Sequence, residues 1–185
     1  TLIWFYWRYE DGWRHVPADF TFWGDIQTQR GQGVAVRYRQ VDQPLAQAVV
    51  QNVEQWVQSG CELLTCSGVQ EIDVDIVPDP GLTMNWSESN PWLLQIPSPY
   101  TGRARSDMPF DINLQLQAAS LVADRLVNVV SGDVPPVFPA DAYYLRSALG
   151  SWLVGRFTQI NTNSFLIDSL AQNYGEQTIG QLARV

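Results

Sequence analysis

The sequence predicts an α+β fold: an N-terminal aromatic β-hairpin, a small mixed sheet with a helix in the first half, and a helical second half around a long buried helix. Three observations carry this prediction. Strand-like runs crowd the first half of the chain, and helical spacing dominates the second. The stretch from Pro109 to Val130 (PFDINLQLQAASLVADRLVNVV) is the longest apolar-rich run with helical spacing. Asp11-Gly12 separates two aromatic runs, as a tight hairpin turn does.

Leu2 to Tyr9 reads as the first strand and Trp13 to Val16 as its return. Trp4 and Tyr6 share one face, and Phe5, Trp7 and Tyr9 the other. A two-stranded ribbon with two apolar faces is not stable alone, so it is expected to pack on the main domain, on a partner or on a neighbouring portion of a longer chain. Phe20, Phe22 and Trp23, ended by Gly24, read as a plug against a core. Gly33 to Arg39 alternates as a strand, with Val34, Val36 and Tyr38 on one side. Asp42 is placed to cap a helix of about four turns ending near Ser59-Gly60. Its apolar positions include Leu45, Val49, Val53 and Trp56. Glu71 to Val77 is the cleanest strand, with Ile72, Val74 and Ile76 inward and Glu71, Asp73 and Asp75 outward. Trp92 to Ile96 is another, closed by Pro97 and Pro99.

The long helix opens with Asp107 as cap and Pro109 in the first turn. Ile112, Leu116, Ala119, Ala123, Leu126 and Val130 make its main apolar face. Leu114, Ala118, Leu121, Val122 and Val129 widen that face, so burial on several sides is expected. A thin polar line remains: Asn113, Gln117, Ser120, Asp124 and Asn128. Ser131 and Gly132 end the helix. Val134 to Pro139 is a linker, Ala140 to Phe157 a helix weakened by Gly150 and Gly155, and two further helices are expected from about Asn163 to Tyr174 and from Gln177 to Val185.

Net charge is −8 over 185 residues, which repels a phosphate backbone, so nucleic-acid binding is not expected. No apolar run reaches the roughly 18 residues that cross a bilayer, and no basic-then-apolar signal segment is present. The chain begins at Thr1 without Met, and is expected to be a piece of a longer protein. Cys61 and Cys66, the two cysteines, form either a small disulfide ring in an oxidising compartment or two free thiols. With no histidine near them they make a poor zinc site.

Other candidates stand beside plainer readings. Glu71, Asp73 and Asp75 have the chemistry of a hard-cation site, but their alternation fits a solvated strand face. His15 is the single histidine, and it falls on the hairpin surface rather than beside a nucleophile. Ser98 to Arg105 (SPYTGRAR) matches no phosphate loop and reads as a surface turn. Trp4, Tyr6, Trp86 and Trp92 are a candidate aromatic contact surface, against a core role for rings this frequent. Asn113, Gln117, Ser120 and Asp124, with Trp152, are candidates to line a groove, or else polar groups satisfied within a buried helix.

Taken in order, these segments resemble a family. A strand and helix, then EIDVDIVPD, then a strand ending LLQIPSPYTG and the long helix, are similar to the peptidase MA-like (gluzincin, or zincin-like) domains. SALGSWLVGRF stands where those enzymes carry a tryptophan-leucine-glutamate-glycine segment, and NSFLIDSLAQNYGEQTIGQL resembles their terminal helices. WRYEDGWRHVPADFTFWG resembles the end of a cone-shaped sheet domain that precedes this module in some bacterial proteins. The resemblance divides the chain into residues 1–31, hairpin and linker, and residues 32–185, the zincin-like domain. Active members bind zinc through two His of an HExxH helix and a downstream Glu, with the helix Glu as base. Here the helix from Asn113 to Asn128 has neither residue, and neither occurs anywhere from Ser89 to Gly175. Val154 follows Trp152-Leu153 where the downstream Glu would stand. The resemblance therefore implies a fold retained and a reaction lost: a non-catalytic module without metal or cofactor, binding protein or peptide, in a larger extracytoplasmic protein. A hydrolase using Ser120 and Asp124, or His15, and a structural module self-associating through residues 1–24 are the alternatives.

Overall fold

In the computed structural model of the chain, residues 4–16, 20–101, 108–132 and 141–160 are described. The expected helices Asn163 to Tyr174 and Gln177 to Val185, the linker Val134 to Pro139 and the cap at Asp107 lie outside them. The α+β class holds. The chain divides into two units, each built from two stretches: Thr1–Gln51 with Glu71–Asp111, and Asn52–Gln70 with Ile112–Val185.

In the first unit, β1 (Phe5–Tyr9) and β2 (Gly12–Val16) pair antiparallel as a separate two-stranded sheet. The turn at Gly12 uses φ +133°, which glycine alone adopts readily. The plug is a short helix, α1 (Phe20–Trp23). Its Phe22 ring meets Phe5 edge-on at 4.7 Å and Tyr100 at 5.8 Å, tying one face of the hairpin to this unit.

The five-stranded sheet is mixed. It contains β3 (Ile26–Gly31), β4 (Val34–Arg39), β5 (Ile72–Val77), β6 (Asn85–Trp86) and β7 (Leu93–Pro97), in the order β3-β4-β5-β7-β6. The β4–β5 and β5–β7 pairs are parallel, and both edge pairs are antiparallel. The long α2 (Gln43–Leu64) supplies the crossover that a parallel pair requires. Val34, Val36, Tyr38, Ile72, Val74, Ile76, Leu94 and Ile96 line the buried face; Leu45, Ala46, Val49 and Val50 are the buried positions of the first half of α2.

Three expectations are corrected here. Ile26–Gly31, read with the linker, is an edge strand, so the boundary at residue 31 falls inside the β3–β4 hairpin. The two-residue β6 was not foreseen. Asp42, expected to cap the helix, does stand directly before α2, where it ends a 3-10 turn, is fully buried, and accepts a hydrogen bond from Ser98 Oγ at 2.7 Å. Asp75, expected to face solvent, is buried.

In the second unit, α2 runs straight through Gly60 to Leu64 instead of stopping. A Cβ at Gly60 would stand 2.6 Å from Leu126 Cδ1 and 3.1 Å from Phe157 Cζ, so this glycine is a packing requirement and not a stop signal. Trp56 is buried, stacks on Phe157 with centroids 6.0 Å apart, and donates its Nε1–H to the Phe157 carbonyl at 3.2 Å. The central helix is α3 (Ile112–Ser131), which starts three residues later than expected and ends at Gly132 with φ +88°. Its full burial is confined to Ala118, Ala119, Val122, Ala123, Leu126 and Val127, a narrower stripe than the pattern implied, and Ile112 is exposed. α4 (Asp141–Thr158) packs along α3.

Candidate functional site

The first unit offers two surfaces, the polar face of the sheet and its β6 edge. Cross-strand register lines up Thr28, Arg37, Asp75, Gln95 and Asn85 in one row across all five strands. Arg37 grips Asp75 with both ends of its fork: Nε donates to Oδ1 at 2.7 Å, and Nη2 to Oδ2. The guanidinium beside Asp75 has its own pKa raised, and the pair is asymmetric, with the Asp75 side chain 12% exposed and Arg37 63%. One strand end further, Arg30 Nη1 pairs with Glu71 at 2.9 Å. A shallow depression of about 310 Å³ lies over these residues, lined by Thr28, Arg30, Arg37, Asp73, Asp75 and Asn90. Two of the three acids with hard-cation chemistry, Glu71 and Asp75, thus hold arginines. Among the described residues no three His, Cys, Asp or Glu come together as a metal-ligating group.

The β6 edge is built differently. Ser87 N–H donates to Leu93 O at 2.8 Å, which makes Asn85↔Gln95 a hydrogen-bonded pair and turns the N–H and carbonyl of Trp86 to the outer side. That outward N–H is held by Asn85 Oδ1 at 2.8 Å. Beside it is a cleft of about 470 Å³ lined by Thr83, Asn85, Trp86, Ser87, Glu88 and Gln95. Trp86 and Trp92 are half-buried at the two ends of the β6–β7 turn.

The hairpin presents the other two predicted aromatic residues. Trp4 is 57% and Tyr6 52% exposed, and Trp13 on the facing strand 68%. His15 lies between the first two, its ring edge-on to Trp4 at 5.0 Å and to Tyr6 at 5.7 Å. The single imidazole is thus engaged with aromatic rings.

At the C-terminal ends of the parallel strands, Asp42 and Ser98 form a buried polar pair. Burial pushes the Asp42 carboxyl up to about 6, against a smaller opposing effect of the Ser98 hydrogen bond. Asp42 Oδ2 has no hydrogen-bond partner among the described residues. Ser98 also takes the Tyr100 N–H on its Oγ, and its carbonyl accepts from Thr101 Oγ1 at 2.7 Å. This much of SPYTGRAR is a self-satisfied turn aimed at a carboxylate, unsuited to an anion; Gly102 to Arg105 lie outside the described residues.

In the second unit, α3 brings Asn113, Gln117, Ser120 and Asp124 onto one exposed row. They are therefore surface groups rather than polar groups buried in a helix core. Asp124 is the crowded one: its Oδ1 stands 2.8 Å from where a Cβ would sit on Gly150 of α4, and partial desolvation of its carboxyl raises its pKa. Trp152 is half-buried on α4. Sequence reasoning missed Arg37, Asn85 and Asp42 as site residues. The period of the strands marks Arg37 and Asp75 as sharing one face, but only strand pairing makes them partners.

No family model, no curated protein and no solved structure matches the chain.

Proposed function

We propose that this chain is a non-catalytic, peptidase-like binding domain of a larger extracytoplasmic protein, and that its ligand is an extended protein or peptide segment. The lost-reaction half of the reading rests on sequence: the exposed row of α3 carries Asn113, Gln117, Ser120 and Asp124, with no His or Glu on that helix. The binding half rests on the β6 edge. A strand edge recognises extended chain through its outward N–H and carbonyl groups, and side-chain pockets add selectivity. β6 supplies such an edge beside a cleft lined by Trp86. Asn85 Oδ1 accepts the Trp86 N–H and has to yield it to an incoming carbonyl.

That competition gives the test. Extended peptides are titrated against the chain by calorimetry, with amide exchange read at Trp86. Asn85→Ala removes the competitor and is expected to tighten peptide binding and to slow exchange at Trp86 only when peptide is present. Unchanged affinity and no protection at Trp86 would remove the edge from consideration. A broad peptide, ester and glycoside screen is expected to show no turnover; turnover lost in Asp124→Asn would establish an enzyme instead.

A second reading, self-association through the hairpin, is favoured by the exposure of Trp4, Tyr6, Trp7, Tyr9 and Trp13. Sedimentation of the chain and of a Trp4→Ser, Tyr6→Ser, Trp13→Ser variant decides it: equal masses at all concentrations exclude it.

A further inference from the structure

The C-terminus of α2 carries an arrangement that neither reading uses. Thr65 adopts φ +55°, the left-handed conformation that stops a helix. The Cys66 N–H then reaches back to the Cys61 carbonyl at 3.2 Å. These two features define the Schellman motif, with Cys61 three residues before the cap and Cys66 two after it. The motif draws the side chains of those two positions together, where an apolar contact is usual. Here both are cysteines, free and half-buried, and each thiol perturbs the acidity of the other. The two cysteines thus flank a helix stop, joined by a backbone hydrogen bond. The backbone before them is held by the close packing of Gly60 against Leu126 and Phe157.

We propose that Cys61 and Cys66 are a dithiol modification site, oxidised by small-molecule disulfides to an intramolecular disulfide that clasps the end of α2. Cys61 Sγ, after loss of its proton, attacks one sulfur of the oxidant and expels a thiolate, which takes up that proton. Cys66 Sγ then attacks Cys61 Sγ in the mixed disulfide, and the second thiol leaves with the Cys66 proton. Two cysteine thiols are oxidised by two electrons, and one small disulfide is reduced to two thiols. Cys61 goes first because the neighbouring Cys66 favours its thiolate, whereas Cys61 disfavours that of Cys66. Burial pushes both thiols up, Cys66 to about 12, so neither stands as a thiolate at neutral pH. The pair is therefore slow and structural in its chemistry, unlike a redox catalyst, whose nucleophile is acidified.

The test uses the full chain and oxidised glutathione, read by intact mass. The expected product has lost two hydrogens and carries no glutathione, reverts with dithiothreitol, and melts at a higher Tm than the reduced chain. Cys66→Ser is expected to stop at the glutathione adduct on Cys61. The equilibrium constant for closure is expected to be at least about tenfold larger in the folded chain than in urea. Thr65→Gly, which keeps the left-handed cap, is expected to close as the parent does. A folded chain that keeps glutathione, stays reduced at oxidant levels that close the urea-unfolded chain, or closes no more favourably than in urea overturns the proposal.

Discussion

Asp42 is a buried carboxyl whose removal should make the protein more stable at neutral pH. Its pKa is held at about 6 against an ordinary value of 3.8. A rise of about two units corresponds to about 3 kcal/mol between the two protonation states. The sign follows from proton counting. Between pH 3.8 and 6 the folded chain holds the Asp42 proton while the unfolded chain has released it. Stability from this group is therefore complete below the lower value, is lost as pH rises through the upper one, and stays lost above it. Asp42→Asn is uncharged throughout and retains an acceptor for Ser98 Oγ. Its extra N–H donors meet the position where Oδ2 is unpartnered, which offsets part of the gain. Urea unfolding midpoints for parent and variant, measured from about pH 4 to about pH 7, should diverge with pH. The variant should be more stable by about 2 kcal/mol at the upper end and near the parent at the lower. Taking the difference removes titrations common to both proteins, including that of Asp124. Parallel curves, or a variant less stable at neutral pH, would refute a buried ionised Asp42.

Two further outcomes test the packing. Gly60→Ala gains about 1 kcal/mol of helix propensity but drives a methyl to 2.6 Å from Leu126, at a cost of about 1–3 kcal/mol, so thermal melting should show net destabilisation. A stabilised variant would mean that Gly60 is dispensable. Arg37→Ala strands the buried Asp75 carboxylate and should cost about 1–2 kcal/mol in urea unfolding, a figure held down by the solvent around the guanidinium. Adding Asp75→Asn should restore most of it, and failure to restore would mean that the arginine acts through other contacts.

The parts of the fold written in local periodicity were legible in the chain. β4, β5 and β7 follow from alternation, and α3 and α4 from helical spacing, with ends shifted by one to three residues. The misses have physical causes. β3 (IQTQRG) is an edge strand whose exposed positions carry no apolar alternation, and β6 is two residues long. Gly60 imitates a stop, but the distant Leu126 and Phe157 decide its role. For the candidate sites, the row on α3 was readable because a single helix contains it. Arg37 with Asp75, and Asp42 with Ser98, join residues 38 and 56 positions apart, which no local pattern encodes.

The interleaving of the two units along the chain bears on how this protein can be dissected. Residues 52–70 interrupt the first unit, and residues 71–111 interrupt the second. A cut inside residues 52–111 therefore leaves both incomplete, while a cut after residue 51 severs α2 and a cut after residue 111 strips its second half of α3 and α4. Point substitutions in the intact chain, rather than excised pieces, are the appropriate way to assign a property to either half.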